Sequence, residues 1–481
     1  MTVPRSGRRV ADRTPRQVAG GTVAAAVLVA VAVVAVLLTG SAAPDDDRSG
    51  GTEGVLVDHA LDGCLRADPP RGTRTSVVTG AAPVRGLGSG GSIRFGEPGE
   101  LAGAEERTPA RGELVVPDPG RGETADVLAV EATGELAAGL FTFRSDTGDG
   151  TAAVARCDSP RAQWWFTGAA ATLTHTSELV VANLDPGAAV VDVRVLGPEG
   201  EVETLGTRGI TVPPLSSTVL ELTELAPQGE DLAVNVVASR GRVVAGLSDS
   251  YAPEFGSEPG TEWLPDQASA SRVVRLAGLP RRADEHVLVV ANPSGREALV
   301  AVEVSGESGS FTPTDVAQVR VPPGAVVSTP VTEAVPGGAA AVTLRSPVPV
   351  TATVRSTAGG DTSYAGSVRA LAGPAVAAVP DRLRSSVQLT GGEQGGTAGI
   401  VAYDAAGAQV GATTLRLDPG ATNAWSPAGR AAYVVVEPRE GRVHGAVAYA
   451  GDAGLSQVSL RPVLVRVTRP AVRPVVAQSA S

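Results

Sequence analysis

The sequence predicts an all-β protein, with tandem immunoglobulin-like β-sandwich repeats after a single N-terminal transmembrane helix. Two observations predict the sheets. Short apolar runs alternate with turn residues, and 59 Gly and 36 Pro in 481 residues leave little room for long helices. Aromatic residues make up only 3% of the chain, so small branched side chains must fill the cores, and these favour pleated sheet. A third observation, an internal repeat, predicts the tandem arrangement.

The repeat is a segment that begins with LVVAN at 179–183 and returns with the same five letters at 288–292. In the first copy, the alternation in VVDVRVLG (190–197) places Val191, Val193 and Val195 on one face of a strand. Five such segments recur in the same order, which indicates a duplication. A weaker third copy begins with GIVAYDAAG at 399–407, and a degenerate copy precedes the first. Units of about 90 to 110 residues are typical of immunoglobulin-like sandwiches.

These repeats and the apolar N-terminal segment divide the chain into eight predicted parts. They are a cytoplasmic basic tail at 1–17, a transmembrane helix at 18–39, a linker at 40–52, a degenerate β domain at 53–168, β-sandwich repeats at 169–268, 269–375 and 376–468, and an extended tail at 469–481.

The apolar segment at 18–39 contains no charged residue and is long enough, as a helix, to cross a bilayer. Five arginines precede it and Asp45, Asp46 and Asp47 follow it, so the positive-inside rule places the N-terminus in the cytoplasm and the rest outside. We therefore expect a single-pass cell-membrane protein. A cleaved signal peptide, cut within TGSAAP (39–44), is the alternative.

Composition excludes several classes of function. The formal net charge of −11 argues against nucleic acid as a partner. The sequence contains no lysine, which excludes Schiff-base catalysis and phosphate binding by a P-loop lysine.

A family resemblance rests on CDSPRAQWWFTG (157–168), on LVVAN and on its repeat LVVANPSG. With these segments the chain resembles the actinobacterial DUF5719 family of membrane-anchored or secreted envelope proteins, over most of the region after the apolar segment. It departs from that family at Leu184 and Asp185, where members often have Pro directly after the Asn. The family has no assigned activity, so the resemblance implies location and architecture alone.

The search for catalytic, cofactor or metal sites yields none. The four histidines, His59, His175, His286 and His444, fall in separate repeats without metal-ligand spacing. GLGSGG (86–91) neither follows a strand of a βαβ unit nor opens a helix, so we interpret it as a loop. SDTGDG (145–150) is interpreted as a hairpin turn, with a weak cation site as the alternative.

Tryptophans and cysteines supply the remaining candidate residues. Trp164 and Trp165 are adjacent and must point to opposite faces of a strand, and Trp263 is interpreted as the equivalent junction in the next repeat. We expect interdomain packing there, with ligand contact as the alternative. Cys64 and Cys157 are the only cysteines, and we predict a disulfide between them; two free thiols or an intermolecular bridge are the alternatives.

The sequence thus predicts a non-enzymatic, membrane-anchored cell-envelope protein whose β-sandwich ectodomain serves as a scaffold, spacer or interaction surface. The alternative is an envelope glycan-binding module that uses exposed Trp and loop residues. Expected partners are the membrane and envelope glycans or other envelope proteins, and no cofactor is expected.

Overall fold

A computed structural model describes residues 54–66, 72–117, 127–148, 151–451 and 454–468. Strands dominate these residues. The described helical elements are one turn of α-helix, Leu222–Leu225, and the 3₁₀ turns Leu101–Gly103, Gly134–Ala137 and Thr332–Ala334. The predicted all-β fold is confirmed.

Among the described residues, no helix has the length and apolar character needed to cross a bilayer. The predicted cytoplasmic tail, transmembrane helix and linker at 1–52 lie outside the described residues, as does the predicted tail at 469–481. Residues Leu56–Val467 form one compact unit.

The first sheet pair consists of two three-stranded layers. Its strand order is β2-β5-β4 in one layer and β3-β6-β7 in the other. Its strands are β2 (His59–Leu65), β3 (Arg74–Ala81), β4 (Ile93–Gly96), β5 (Val127–Thr133), β6 (Leu140–Gly148) and β7 (Thr151–Arg156). The short strand β1 (Val55–Leu56) precedes them and belongs to a separate two-stranded sheet.

The second sheet pair has the layers β11-β10-β14-β8, with β12 also on β10, and β13-β9-β15-β16. The alternating Val191, Val193 and Val195 lie in β10 and are all buried, as the sequence pattern predicts. The strands are β8 (Gln163–Ala169), β9 (His175–Asn183), β10 (Ala189–Gly197), β11 (Gly200–Glu201), β12 (Ile210–Val212), β13 (Ser216–Glu221), β14 (Leu232–Arg240), β15 (Val244–Tyr251) and β16 (Gly260–Leu264).

In the third sheet pair, one long strand crosses between the layers. Residues 341–345 of β23 pair with β17 and β19, whereas residues 351–358 pair with β18 and β24. The strands are β17 (Ser271–Ala277), β18 (Glu285–Ala291), β19 (Ala298–Gly306), β20 (Gly309–Phe311), β21 (Gln318–Val321), β22 (Val326–Pro330), β23 (Ala341–Ala358) and β24 (Asp361–Ala365).

The fourth sheet pair contains two such long strands. Residues 384–391 of β26 pair with 443–450 of β29, and residues 398–403 of β26 pair with 433–438 of β29. Its strands are β25 (Ala375–Ala378), β26 (Arg384–Tyr403), β27 (Gln409–Leu417), β28 (Thr422–Trp425), β29 (Tyr433–Ala450) and β30 (Leu455–Ser459). The short strand β31 (Arg466–Val467) follows them and pairs with β1.

All four pairs have the same strand order. One layer reads β2-β5-β4, β8-β14-β10, β17-β23-β19 and β25-β29-β26 in successive pairs, and the other reads β3-β6-β7, β9-β15-β16, β18-β23-β24 and β26-β29-β30. In the fourth pair, the strand in the position of LVVAN is therefore the first half of β26. GIVAYDAAG lies in the second half, one strand later than the sequence repeat suggested.

Layers pack on both of their faces, and β5 is an example. Leu128 and Val130 point into the core of the first pair, while Val127 and Ala129 point the opposite way, into a core shared with the second pair. Successive side chains of a strand alternate between faces, so an apolar run without polar interruptions is what a layer buried on both sides requires.

The same packing connects the second pair to the third. Trp165 of β8 and Leu196 of β10 lie against Val287 and Val289 of β18 in one buried cluster. The contact is made by the faces of the two layers that point away from their own cores. This part of the contact between the two pairs is apolar, so its burial favours their association.

Two further interfaces connect the fourth sheet pair to the third and to the first. Ala277 of β17 packs with Ala446 of β29, joining the third pair to the fourth. Phe141 of β6 lies 5.2 Å, between ring centroids, from Tyr433 of β29, which joins the fourth pair back to the first. The four sheet pairs thus form a closed ring, called here the β ring, and the chain is not folded as an extended string.

β8 belongs to the second pair, although the predicted first domain, 53–168, includes nearly all of it. β8 hydrogen-bonds to β14 and opens the second pair, whereas β16, which carries Trp263, is the last strand of that pair. QWWFTG and EWLPDQ are therefore not equivalent segments. The structural counterpart of β16 in the first pair is β7, which contains no aromatic residue.

Candidate functional site

The predicted disulfide is present. Cys64 in β2 and Cys157, directly after β7, are bonded with their Cα atoms 4.5 Å apart, and both are buried. The amide of Gly63 donates to the carbonyl of Asp158 at 3.0 Å beside the bridge. Because β2 and β7 belong to different layers, the disulfide ties together the two layers of the first pair.

All three predicted tryptophans are buried. Trp164 packs in the core of the second pair, and its indole Nε1 donates to the carbonyl of Val243 at 3.0 Å. Trp165 lies on the opposite face of β8, at the interface with the third pair. Trp263 is 8% exposed and contacts the core shared by the first and second pairs. None of the three offers an open ring face on which a sugar could stack.

The last strands of the four pairs, β7, β16, β24 and β30, meet at the centre of the β ring. β16 and β30 both contact β7, and β24 contacts both β16 and β30. The starts of these strands converge, since Asp361 of β24 accepts a hydrogen bond from the amide of Leu455 at 2.8 Å. A Cβ at Gly260, the first residue of β16, would lie 2.5 Å from the Asp361 Oδ1. Glycine at this position lets the carboxylate fit.

Two buried acids occupy this centre. Burial raises the pKa of Asp361 to about 7, although the amides of Leu455, Thr362 and Ala152 oppose the shift. Burial also raises the pKa of Glu262 well above its ordinary value, and the nearby charge of Asp361 adds to the effect. Among the described residues, Glu262 Oε2 and Asp361 Oδ1 have no hydrogen-bond partner. The centre of the ring therefore favours neutral carboxyl groups.

A second polar cluster links the second pair to the third. His175 Nε2 lies 2.8 Å from Asp249 Oδ2, and the hydroxyl groups of Ser177 and Tyr364 each donate to the same carboxylate at 2.5 Å. All four side chains are buried. The serine hydroxyl donates to the carboxylate and not to the imidazole, so the cluster does not have the geometry of a nucleophile with its base. It connects β9 and β15 to β24.

Sequence reasoning did not find this cluster, because its members lie far apart in the chain. The available signal was the run of three polar residues, SDS, at 248–250 in a strand that otherwise contains mostly apolar residues. The other three histidines lie elsewhere: His59 is 2.9 Å from Glu131, His286 is 2.8 Å from Ser356, and His444 is buried in β29. In the part of the chain that the structure describes, no group of three or more His, Cys, Asp or Glu is arranged to hold a metal ion.

The glycine-rich loop at 86–91 binds a carboxylate of its own chain. The amides of Gly88 and Gly90 donate to the two carboxylate oxygens of Glu135, each at 3.1 Å, and lower the pKa of that acid. A Cβ at Gly91 would lie 1.9 Å from the carbonyl of Thr133, so only glycine fits there. In the segment 145–150, Asp146 pairs with Arg144 at 2.8 Å, and residues 149–150 lie outside the described residues.

Sequence comparison identifies the protein family of this chain. Residues 115–428 match the model of DUF5719, described as a family of unknown function. The chain belongs to the DUF5719 family. The resemblance stated from the sequence is thereby confirmed, and no curated protein matches the chain.

The similarity of this DUF5719 protein to solved structures is weak. A match to the crystal structure of Streptomyces avermitilis alpha-L-rhamnosidase complexed with L-rhamnose has 12% identity and covers 81% of this chain. It covers 55% of the rhamnosidase chain, with a TM-score of 0.13. That score is too low to indicate a shared fold.

Proposed function

We propose that this DUF5719 protein is a non-enzymatic, membrane-anchored component of the cell envelope, whose β ring is a scaffold or interaction surface outside the membrane. The observation that carries the proposal is the buried Cys64–Cys157 disulfide, since structural disulfides persist in oxidising compartments. The apolar segment at 18–39, with arginines before it and aspartates after it, supplies the anchor and the orientation.

The architecture supports a rigid body. The shared strand order of the four sheet pairs agrees with repeats of one immunoglobulin-like sandwich. Because each pair packs on two others, the β ring resists the bending that a string of separate domains allows. We infer that it holds attached surfaces at fixed positions instead of acting as an extensible spacer.

Two exposed apolar side chains lie on neighbouring turns of the second pair. Leu173 is 87% exposed and Phe255 is 83% exposed. Their turns are neighbours, because the amide of Ala252 donates to the carbonyl of Thr174 at 2.7 Å. Large apolar side chains that cluster on a surface mark sites of protein association. We assign this corner of the second pair as a surface for another envelope protein.

Glycan binding through tryptophan is the weaker alternative. It depended on exposed indole rings, and Trp164, Trp165 and Trp263 are buried. Sedimentation of the full-length protein with purified wall polymers tests it: saturable retention would support glycan binding and contradict a purely protein-directed scaffold.

Site-specific photo-crosslinking in cells tests the proposed surface. A photoreactive amino acid replaces Phe255 in the full chain, and the matched control carries it at Phe311, which is 46% exposed in another sheet pair. We expect a discrete adduct with an envelope protein from position 255, reduced by Leu173→Ser, and none from position 311. Equal labelling from both positions, or adducts with cytoplasmic proteins, would contradict the proposal.

A further inference from the structure

A cavity lies in the third pair where the long strand β23 crosses between the layers. Val273 of β17 pairs with Arg345, whereas Ser271 pairs with Val350, so the register shifts between these two positions. A cavity of about 240 Å³ lies beside the shift and is called here the crossing cavity. Its polar lining residues are Ser269, Ser271, Arg275, Thr351, Ser367 and Arg369.

The charged lining of the crossing cavity is positive. Arg275 and Arg369 both line it, and no aspartate or glutamate of the described chain does. Within the part of the chain that the structure describes, neither arginine forms an ion pair. The lining therefore carries two positive charges and no negative one.

The acids near Arg275 do not cancel its charge. Glu303 and Glu393 both pair with Arg345, at 3.9 and 3.0 Å. Burial lowers the pKa of Arg275, and the charge of Arg345 lowers it further, more than Glu393 raises it. Arg442 repels Arg275 as well, and Glu303 opposes that effect. Three arginines thus share two glutamates on this side of the cavity.

The acid in the linker beside Arg369 is already paired. Asp266 lies two residues before Ala268, which also lines the cavity. Its carboxylate accepts from both Arg161 and Arg461. Arg369 itself is exposed, so its guanidinium group is available to a ligand.

Hydroxyl groups add hydrogen-bond donors to the lining. Ser367 Oγ accepts from the amide of Ala268 at 3.0 Å, and Ser271 Oγ accepts from the amide of Val273 at 3.3 Å. A hydroxyl group has one hydrogen to donate besides its acceptor lone pairs. Among the described residues, neither serine hydroxyl donates to another group. Both serines therefore keep a hydrogen that a ligand oxygen can accept.

The size and position of the cavity suit a phosphate group. A water molecule requires about 10 to 15 Å³ on this measure, so a cavity of about 240 Å³ holds a phosphate ion together with several waters. Ser269, Ser271 and Arg369 are exposed, which opens the cavity to solvent. An organic group attached to the phosphate can therefore extend outside the cavity.

We infer that the crossing cavity binds a phosphate group, either free or carried by a larger molecule. Guanidinium groups recognise phosphate through charge-assisted, paired hydrogen bonds. The donors come from three separate segments, 269–275, 351 and 367–369, and this spread suits the tetrahedral oxygens of phosphate better than the planar oxygens of a carboxylate. The inference goes beyond the scaffold proposal and does not depend on it.

Titration calorimetry of the full-length protein in mild detergent tests the inference. The probes are inorganic phosphate, glycerol 3-phosphate, acetate and chloride at equal ionic strength. The variants are Arg275→Gln and Arg369→Gln, and the matched control is Arg296→Gln, an exposed arginine in a turn of the third pair. Because Arg369 is exposed and has no ion pair to lose, its variant keeps the test valid if Arg275→Gln does not fold.

We expect inorganic phosphate and glycerol 3-phosphate to bind at one equivalent, both more tightly than acetate and chloride. The tighter of the two shows whether the natural ligand is free phosphate or a phosphate ester. Arg275→Gln and Arg369→Gln should each weaken that binding about tenfold, with Arg296→Gln unchanged. Phosphate binding no tighter than that of acetate or chloride, or binding that neither cavity variant weakens, would overturn the inference.

Discussion

Asn183 and Asn292 make the same hydrogen bonds in two successive sheet pairs. Nδ2 of Asn183 lies 2.8 to 3.2 Å from the carbonyl oxygens of Gly187, Val212 and Pro213. The equivalent acceptors for Asn292 are Arg296, Val321 and Pro322, at 2.7 to 3.1 Å. In both cases Oδ1 accepts from the amide two residues later at 3.1 Å. The Asn of LVVAN is therefore repeated because it holds two turns together.

Asn292→Ala should destabilise the protein by about 2 to 3 kcal/mol, because it leaves buried carbonyl groups without a donor. Asn183→Ala should cost a similar amount, since that side chain makes the same contacts. The matched control is Asn423→Ala at a half-buried position, where we expect a change within about 0.5 kcal/mol. Denaturant unfolding of the full chain measures all three, and equal effects for Asn292 and Asn423 would contradict this role.

Trp165→Ala should destabilise the β ring by about 3 to 5 kcal/mol, because it empties the interface between the second and third pairs. The control is Trp425→Ala, whose side chain is half-buried and should cost clearly less. Thermal unfolding provides the comparison. If Trp165→Ala were as mild as Trp425→Ala, the indole would not be an interface residue.

Cys64→Ser should lower stability by about 4 to 5 kcal/mol, since the disulfide closes a loop with a sequence separation of 93. In the β ring, the first pair packs on both the second and the fourth, so calorimetry should show the whole transition moving to lower temperature. The double variant Cys64→Ser with Cys157→Ser controls for reactions of the free Cys157 thiol that the single variant leaves. A separate early transition would mean that the first pair unfolds independently.

Asp361→Asn should flatten the pH dependence of stability. The pKa of Asp361 is about 7 in the folded chain and 3.8 ordinarily, so its contribution is fully present below about pH 4 and is lost as the pH rises through about 7. His444 acts in the opposite direction, because burial lowers its pKa to about 4 and stability is lost as the pH falls from about 6.5.

Denaturant unfolding between pH 5 and 8, a range of about three units around the pKa, measures this effect. Wild type should lose stability toward pH 8 relative to Asp361→Asn, by no more than a few kcal/mol. Burial also raises the pKa of Glu262 well above its ordinary value, so the slope of the variant is reduced and not abolished. Parallel curves for the two proteins would show that Asp361 stays ionised.

Local features of this fold could be predicted from the sequence. Alternation in β10 identified its buried face, and the two cysteines identified the disulfide, because each of these rests on residue type and spacing. The signal for the β ring was also present: LVVAN has no polar residue before its Asn, which indicates a strand buried on both faces. A strand in an isolated sandwich needs apolar residues only at alternate positions. The unbroken apolar run therefore indicated that a second layer packs on the outer face of this strand.

Other features depend on contacts between distant residues. Trp164 and Trp263 have similar sequence neighbours, but hydrogen bonding with β14 or β15 decides which end of a pair each strand occupies. The ion pairs of Asp266 with Arg161 and Arg461 join residues far apart in the chain, which no spacing rule connects. In the fourth pair a threonine pair, Thr390 and Thr422, 2.9 Å apart, stands at the position of the Asn contact, so the repeat loses its sequence marker there.

Closure of the β ring is the central claim, and crosslinking between the first and fourth pairs tests it most directly. The amide of Leu114 donates to the carbonyl of Ala405 at 2.9 Å. Cysteines are introduced at exposed Glu113 and Ala405 in the full chain and treated with a short bismaleimide; the control pair is Leu173 and Ala405. The account predicts an intramolecular 113–405 crosslink by peptide mass spectrometry and none for the control. A chain in which 113 and 405 link only between molecules, or not at all, would contradict a closed ring.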